Sequence, residues 1–264
     1  MNTLKKGSKG DEVKQLQTLL GVAQDGIFGS ATESVVKNFQ VSHGLAVDGI
    51  VGPNTWKALT GNSETPSNIE EIKIISKFLS KHITSSPNRE IKYITIHYTA
   101  GGSSLPGSAQ AIYNVFSQRS ASADFAVDDR DIVQFNPDLK NYYCWAIGDK
   151  GVGTLKGQVM NRNTISIEIC SNLKKGTSAA VPNHSGWTFT DASLKNALNL
   201  TKYLMKKYNI PRDRVIRHYD VTGKYCPGIV GWNDGTIYDT TGNVTKDKNN
   251  SSCWNNFKNN LIVK

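Results

Sequence analysis

The sequence predicts a two-part chain: a small all-α domain of three helices at residues 1–61, then an α/β domain at residues 68–264 whose mixed sheet is covered by helices. Three observations carry this. Asp25-Gly26-Ile27-Phe28-Gly29 returns as Asp48-Gly49-Ile50-Val51-Gly52, twenty-three residues later. A polar stretch holding Gly and Pro (TGNSETPS) ends in a linker at residues 62–67. Beyond it, β-branched runs alternate with segments of helical period, the pattern of a sheet with helices packed on it.

In the first part, Asp11 is placed to cap a helix whose Val13, Leu16, Leu19 and Leu20 share one face. Each Asp-Gly supplies a turn, and Ser30 and Pro53 sit where helices begin. Val35, Val36 and Phe39 mark the second helix, Trp56 and Leu59 a short third one. In the second part, Ser67-Asn68-Ile69-Glu70 reads as a capping box opening a helix with Ile72, Ile75, Phe78 and Leu79 on one face. Strands follow at 91–97 (IKYITIH) and 164–170 (TISIEIC), with a helix at 108–116 between them. A hairpin spans 125–135, turning at Asp128-Asp129-Arg130-Asp131. The clearest helix is 191–208, stopped by Pro211, with a short strand at Val215-Ile216 after it. The tail from Gly231 is expected to pack back on the domain through Trp232, Trp254, Phe257 and Leu261.

Formal charge is +9, of which residues 1–61 carry only +1. A basic surface suits a polyanion, whether nucleic acid, anionic lipid or a bacterial wall, and charge alone does not choose. Aromatic-basic strand motifs of nucleic-acid binders are absent, so no nucleic-acid partner is expected. No apolar run approaches membrane-span length and the N-terminus lacks an apolar core, so neither insertion nor a signal peptide is expected. Cys144, Cys170, Cys226 and Cys253 form no CxxC pair; mostly free thiols are expected.

Three segments carry candidate chemistry. His97 ends a strand, where side chains reach a cleft, although a lone His there is as readable as structural. In 164–170 the three isoleucines share one face, which puts Ser166, Glu168 and Cys170 on the other. His218 to Cys226 is a loop short enough to bring an imidazole and a thiolate to one metal ion, with Lys224 projecting to a similar side as Cys226. His43, His82 and His184 read as surface residues, and Cys144 and Cys170 as core or cleft-wall thiols.

Residues 3–60 resemble the peptidoglycan-binding domain of wall hydrolases: Leu4, Gly7, Gly10, Val13, Leu16 and Gln17 match its pattern, and the double Asp-Gly turn is typical of it. Residues 90–230 resemble the type 2 N-acetylmuramoyl-L-alanine amidases, through His97-Tyr98-Thr99, the Ile-Glu strand and His218-Tyr219-Asp220 with Lys224-Tyr225-Cys226-Pro227-Gly228. The resemblance implies Zn²⁺ held by His97, His218 and Cys226, with Glu168 and Lys224 as catalytic carboxylate and ammonium. Two imidazoles and one thiolate leave a fourth position open, as in catalytic rather than structural zinc sites. Tyr98, Trp145 and Asn163 are the expected substrate-binding residues. The implied substrate is peptidoglycan, cut between muramic acid and L-alanine by a monomer.

Without a signal peptide, the expected setting is a phage endolysin held in the host cytoplasm until lysis; a bacterial autolysin and a non-catalytic wall-binding module are the alternatives. Two departures from the family stand out. Asp124-Phe125 replaces a pattern that supplies an auxiliary Tyr, and Trp145-Ala146 replaces Trp-His.

Overall fold

The computed structural model describes residues 2–42, 45, 47–60, 72–101, 103–148, 151–174, 185–233, 236–238, 244–246 and 251–261. The chain divides into two compact units, Met1–Ile69 and Glu70–Lys264. His43, His184, the linker and the Ser67–Glu70 capping box lie outside the described residues.

The first unit holds α1 (Asp11–Leu20), α2 (Ser30–Ser42) and α3 (Pro53–Thr60) around Leu4, Val13, Leu16, Phe28, Val36, Val51 and Trp56. Gly10, not Asp11, occupies the N-cap of α1, with φ 111°; Asp11 is the first helical residue, where its charge suits the helix dipole. The sequence repeat becomes a repeated hydrogen-bond unit. Gln17 Nε2 donates to Asp25 Oδ1 (2.6 Å) and Thr32 Oγ1 (3.2 Å), while its Oε1 accepts from Gly26 N–H (2.9 Å). Gln40 does the same with Asp48 (2.8 Å), Thr55 (3.2 Å) and Gly49 (2.9 Å). Each glutamine thus ties a helix to the next Asp-Gly turn.

The second unit runs β1 (Ile74–Ser76), β2 (Ile83–Ser85), β3 (Tyr93–Tyr98), α4 (Ser108–Gln118), β4 (Phe125–Val127), β5 (Ile132–Gln134), β6 (Tyr142–Cys144), β7 (Thr164–Ile169), β8 (Asn172–Leu173), β9 (Trp187–Thr188), α5 (Asp191–Tyr208), β10 (Val215–Arg217), α6 (His218–Thr222), β11 (Thr236–Tyr238), β12 (Val244–Lys246) and α7 (Ser252–Asn259). Six strands form one sheet in the order β1-β5-β4-β7-β3-β10. It is mixed: β4 and β5 pair antiparallel, the other neighbours parallel.

The expected helix at 72–79 is instead strand β1. Ile74 packs with the cluster on one sheet face and Ile75 with that on the other, so period two gives each a core to lean on. β-branched chemistry at both positions favours that outcome.

One face of the sheet carries Ile94, Ile96, Ile165, Ile167 and Ile169 against Ala197, Leu200 and Leu204 of α5. The tail joins the same core: Trp232, Trp254, Phe257 and Leu261 are all buried there. Across the sheet, Ala109 and Phe116 of α4 cover Ala126, Val133 and Phe135. Among the described residues no helix is long and apolar enough to cross a membrane.

Candidate functional site

Strand alternation and register place the first two groups. In the β3–β7 ladder His97 stands opposite Glu168, so both side chains leave the sheet on the face away from the isoleucines. The third and fourth come from the segment after β10. His218 begins α6, which is five residues long and ends at Gly223 in the left-handed conformation, φ 74°. The chain then doubles back, and Tyr219 N–H donates to the Cys226 carbonyl at 3.0 Å. What the sequence read as a loop is thus a helical turn with a return, and the return brings Cys226 beside His218.

The ligating atoms of His97, His218 and Cys226 all lie within 4.8 Å of one another, and all three residues are buried. Cys226 Sγ is 3.7 Å from His97 Nδ1. The two imidazoles are 4.6 Å apart, centroid to centroid, tilted by 49°. Burial, then the charges of His218 and Lys224, holds His97 well below its ordinary value; burial and Lys224 push His218 down to about 4. Both rings are therefore neutral near pH 7, with nitrogen lone pairs free to ligate. The Cys226 thiol is pushed up by burial and by Glu168, with the Tyr98 amide hydrogen bond and Lys224 opposing.

Two buried polar atoms in this neighbourhood, His97 Nε2 and Glu168 Oε2, have no protein partner. Such atoms are costly unless something else engages them. Burial lifts the Glu168 carboxyl to about 8, against the pull of Lys224 and Arg119. Lys224 is itself exposed, yet its charge acts on Glu168, His97, His218 and Cys226 alike.

A cleft of about 930 Å³ opens beside this cluster, lined by His218 and Lys224 together with Thr84, Ser120, Tyr143, Trp145 and Asn161. Trp145 is 40% exposed there, and its indole N–H donates to Thr84 Oγ1 at 2.8 Å.

Two expected substrate residues lie elsewhere. Tyr98 alternates with His97, so its ring faces the core, edge-on to Trp187 at 6.4 Å. Its backbone N–H donates to the Cys226 sulfur, and its hydroxyl end lies against Gly228, just past Cys226. Asn163 is absorbed by its own turn: its Oδ1 accepts from Met160 N–H (2.8 Å) and its Nδ2 donates to the Gln158 carbonyl (2.8 Å). His82 lies in a turn, Nδ1 2.7 Å from the Phe116 carbonyl, 5.5 Å from the Trp145 ring.

Sequence reasoning missed Arg119, Asn161 and Asp124. Asn161 Oδ1 accepts from Ala146 and Ile147 N–H (3.1 and 2.7 Å) and so fixes the cleft wall. Asp124, the residue before Phe125, is wholly buried, accepting from Ser166 N–H (2.8 Å) and Asn136 Nδ2 (2.6 Å). An acid at the start of a buried strand was the available signal for Asp124; Arg119 and Asn161 carried none.

A buried pair of imidazoles and a thiol, open to a cleft and flanked by a carboxyl and an ammonium, is the kind of site hydrolytic metalloenzymes build. The family model for N-acetylmuramoyl-L-alanine amidase matches residues 87–229, and the chain belongs to that family. A peptidoglycan binding domain model matches residues 9–59.

Among curated relatives, the N-acetylmuramoyl-L-alanine amidase CwlA of Bacillus subtilis (strain 168) is 33% identical over 159 residues, 59% of this chain and 51% of that protein. XlyB of the same strain, also named as such an amidase, is 32% identical over 149 residues, 56% of this chain and 41% of that protein. The chain therefore spans about half the length of these relatives. A solved mutant endolysin from Bacillus subtilis is 27% identical, covering 72% of this chain and 99% of that one, with a TM-score of 0.47.

Proposed function

We propose that this chain hydrolyses the amide joining the lactyl group of N-acetylmuramic acid to L-alanine in bacterial peptidoglycan, with Zn²⁺ held by His97, His218 and Cys226. The observation that carries this is the buried cluster itself, two nitrogens and one sulfur within 4.8 Å, on a domain of the amidase family. That donor set fits zinc with a fourth position open. It also gives the orphaned His97 Nε2 and the buried Cys226 thiol a reason to be there.

Zinc bound in such a site lowers the pKa of a water to about 7. Glu168, facing the cluster from the adjacent strand, takes the proton from the attacking water and passes it to the departing L-alanine nitrogen. A carboxyl poised near neutrality suits both halves of that task. Lys224, at the cleft, stabilises the negative charge that develops on the attacked carbonyl oxygen. Trp145 supplies an apolar cleft wall for the substrate. Tyr98 and Asn163 take no direct part; they shape the sulfur's surroundings and the turn before β7.

The first unit, through its peptidoglycan binding domain match, holds the chain on the wall. The working form is a monomer. We read its setting as that of a phage endolysin, kept in the host cytoplasm until lysis, ahead of a bacterial autolysin.

The test is digestion of purified peptidoglycan with and without a zinc chelator, with new ends identified by mass spectrometry. Chelator-sensitive release of intact stem peptides bearing free L-alanine amino groups is expected. New reducing sugars or cuts within the peptide would name a different bond. Wall and zinc binding without any cleavage would make the chain a recognition module.

A further inference from the structure

A segment outside every sequence motif packs against α6, the helix that begins with His218. Residues 151–156 run as a strap across the carbonyl end of α6. Val152 N–H donates to the Thr222 carbonyl (3.0 Å) and Leu155 N–H to the Asp220 carbonyl (2.8 Å). Thr154 Oγ1 lies 3.5 Å from the same Asp220 oxygen. The last carbonyls of a helix have no partner within it, and the strap engages two of those of α6.

The approach is close enough to require glycine twice. A Cβ on Gly151 would overlap the backbone of Thr222, and one on Gly153 that of Val221 and Asp220. Both obstacles are main chain, so neither can swing aside. Gly151 also has φ 142°, which disfavours any side chain. At the C-cap of α6, a Cβ on Gly223 would meet Val152 Cγ2 at 3.0 Å, so this junction too is tightly fitted. The strap is anchored from below as well. Leu155 packs on a small apolar cluster of Ile147, Val159, Ile216 and Val221. Ile216 and Val221 flank His218 on either side, and α6 leads directly into Lys224 and Cys226.

We propose that the strap Gly151–Lys156 is the positioning element of the metal cluster, with Gly151, Gly153 and Leu155 as its positioning residues. By gripping α6 from its carbonyl end and its apolar side, it keeps His218, Lys224 and Cys226 converged on His97 and Glu168. Gly151 borders the cleft, and none of the three positioning residues belongs to the His97, His218 and Cys226 cluster. The proposal rests on reading the cluster as a zinc site, and the test separates the two.

The full chain, stripped of metal, is titrated with Zn²⁺ against a chromogenic chelator and with Co²⁺ while thiolate-to-cobalt absorption is recorded. Thermal melts by far-UV circular dichroism are taken in parallel. Gly153→Ala is the direct variant, and Leu155→Ala loosens the anchor without a clash. Gly157→Ala is the control, since open space surrounds its Cβ; its φ of 79° adds a backbone strain that Gly153 does not carry, so a wild-type result there is the more stringent.

Gly153→Ala and Leu155→Ala are expected to bind Zn²⁺ about 10–100-fold more weakly, the usual loss when ligand support is removed. Their cobalt spectrum should change, and Gly157→Ala should match wild type in both. Folded Gly153→Ala and Leu155→Ala proteins that bind both ions like wild type would overturn the proposal, as would an equal loss in Gly157→Ala. If Gly153→Ala does not fold, the same criteria apply to Leu155→Ala. A wild-type chain that binds neither ion would overturn the zinc reading and the strap with it.

Discussion

Glu168→Gln should abolish hydrolysis and, in metal-free protein, make the fold more stable. Glu168 is half-buried, with one carboxylate oxygen buried and unpartnered, and its carboxyl is lifted from the ordinary 4.5 to about 8. Between those values the folded state holds a proton that the unfolded chain has released. Stability therefore falls as pH rises through that window. At pH 7 about 2.5 pH units of it have been crossed, and at about 1.36 kcal/mol each the destabilisation is about 3 kcal/mol. Relaxation and water entry reduce this to about 2 kcal/mol. Gln keeps the shape without the charge, so the variant should exceed wild type by about that amount at pH 7 and by nearly nothing at pH 4.5. His218, held down to about 4, titrates in both proteins and largely cancels from the difference. Urea melts of the chelator-treated proteins across this range measure the gap. A gap that does not widen with pH, or a Gln variant less stable than wild type at pH 7, would refute the assignment of Glu168 as a carboxyl held against its own burial penalty.

Lys224→Ala should lower kcat on purified wall about 10²–10³-fold while leaving thermal melting within a degree or so of wild type, because the side chain is exposed. Cys226→Ser and His97→Ala should each lose stoichiometric zinc by elemental analysis and lose activity, without restoration by added metal at micromolar levels. Trp254→Ala should destabilise the second unit by about 3–5 kcal/mol in urea melts, because the tail is part of the main core. Gln17→Ala and Gln40→Ala should weaken the first unit to similar extents, about 1–3 kcal/mol each. Hydrogen exchange of residues 2–60 in the full chain reads this out, and a large inequality between the two would deny the equivalence of the repeats.

Much of the candidate site was legible in the chain because it is built from local patterns. Strict alternation in 164–169 put Glu168 opposite the isoleucines, and the ladder kept it there. The same alternation turns the Tyr98 ring toward the core, on the sheet face opposite to His97. Asn163 looked available because nothing in its neighbourhood announced that the turn at Met160 would consume both ends of its amide. The helix expected at 72–79 failed for a related reason. Its apolar spacing fits two periods, and the choice was made by β5, which gives Ile74–Ser76 a parallel partner.

The sequence by itself determined the candidate donor set, the two-unit organisation of the binding-domain and amidase matches, and the repeat that builds the first core. These depend on residue identity and short spacing. Tertiary structure decided which donors converge, because His97 and Cys226 are 129 residues apart and meet only when β3 and β10 pair and the chain returns past α6. It also decided the strap. Glycines at 151 and 153 carry no motif, and their necessity is visible only where another segment's backbone occupies the space a Cβ would need.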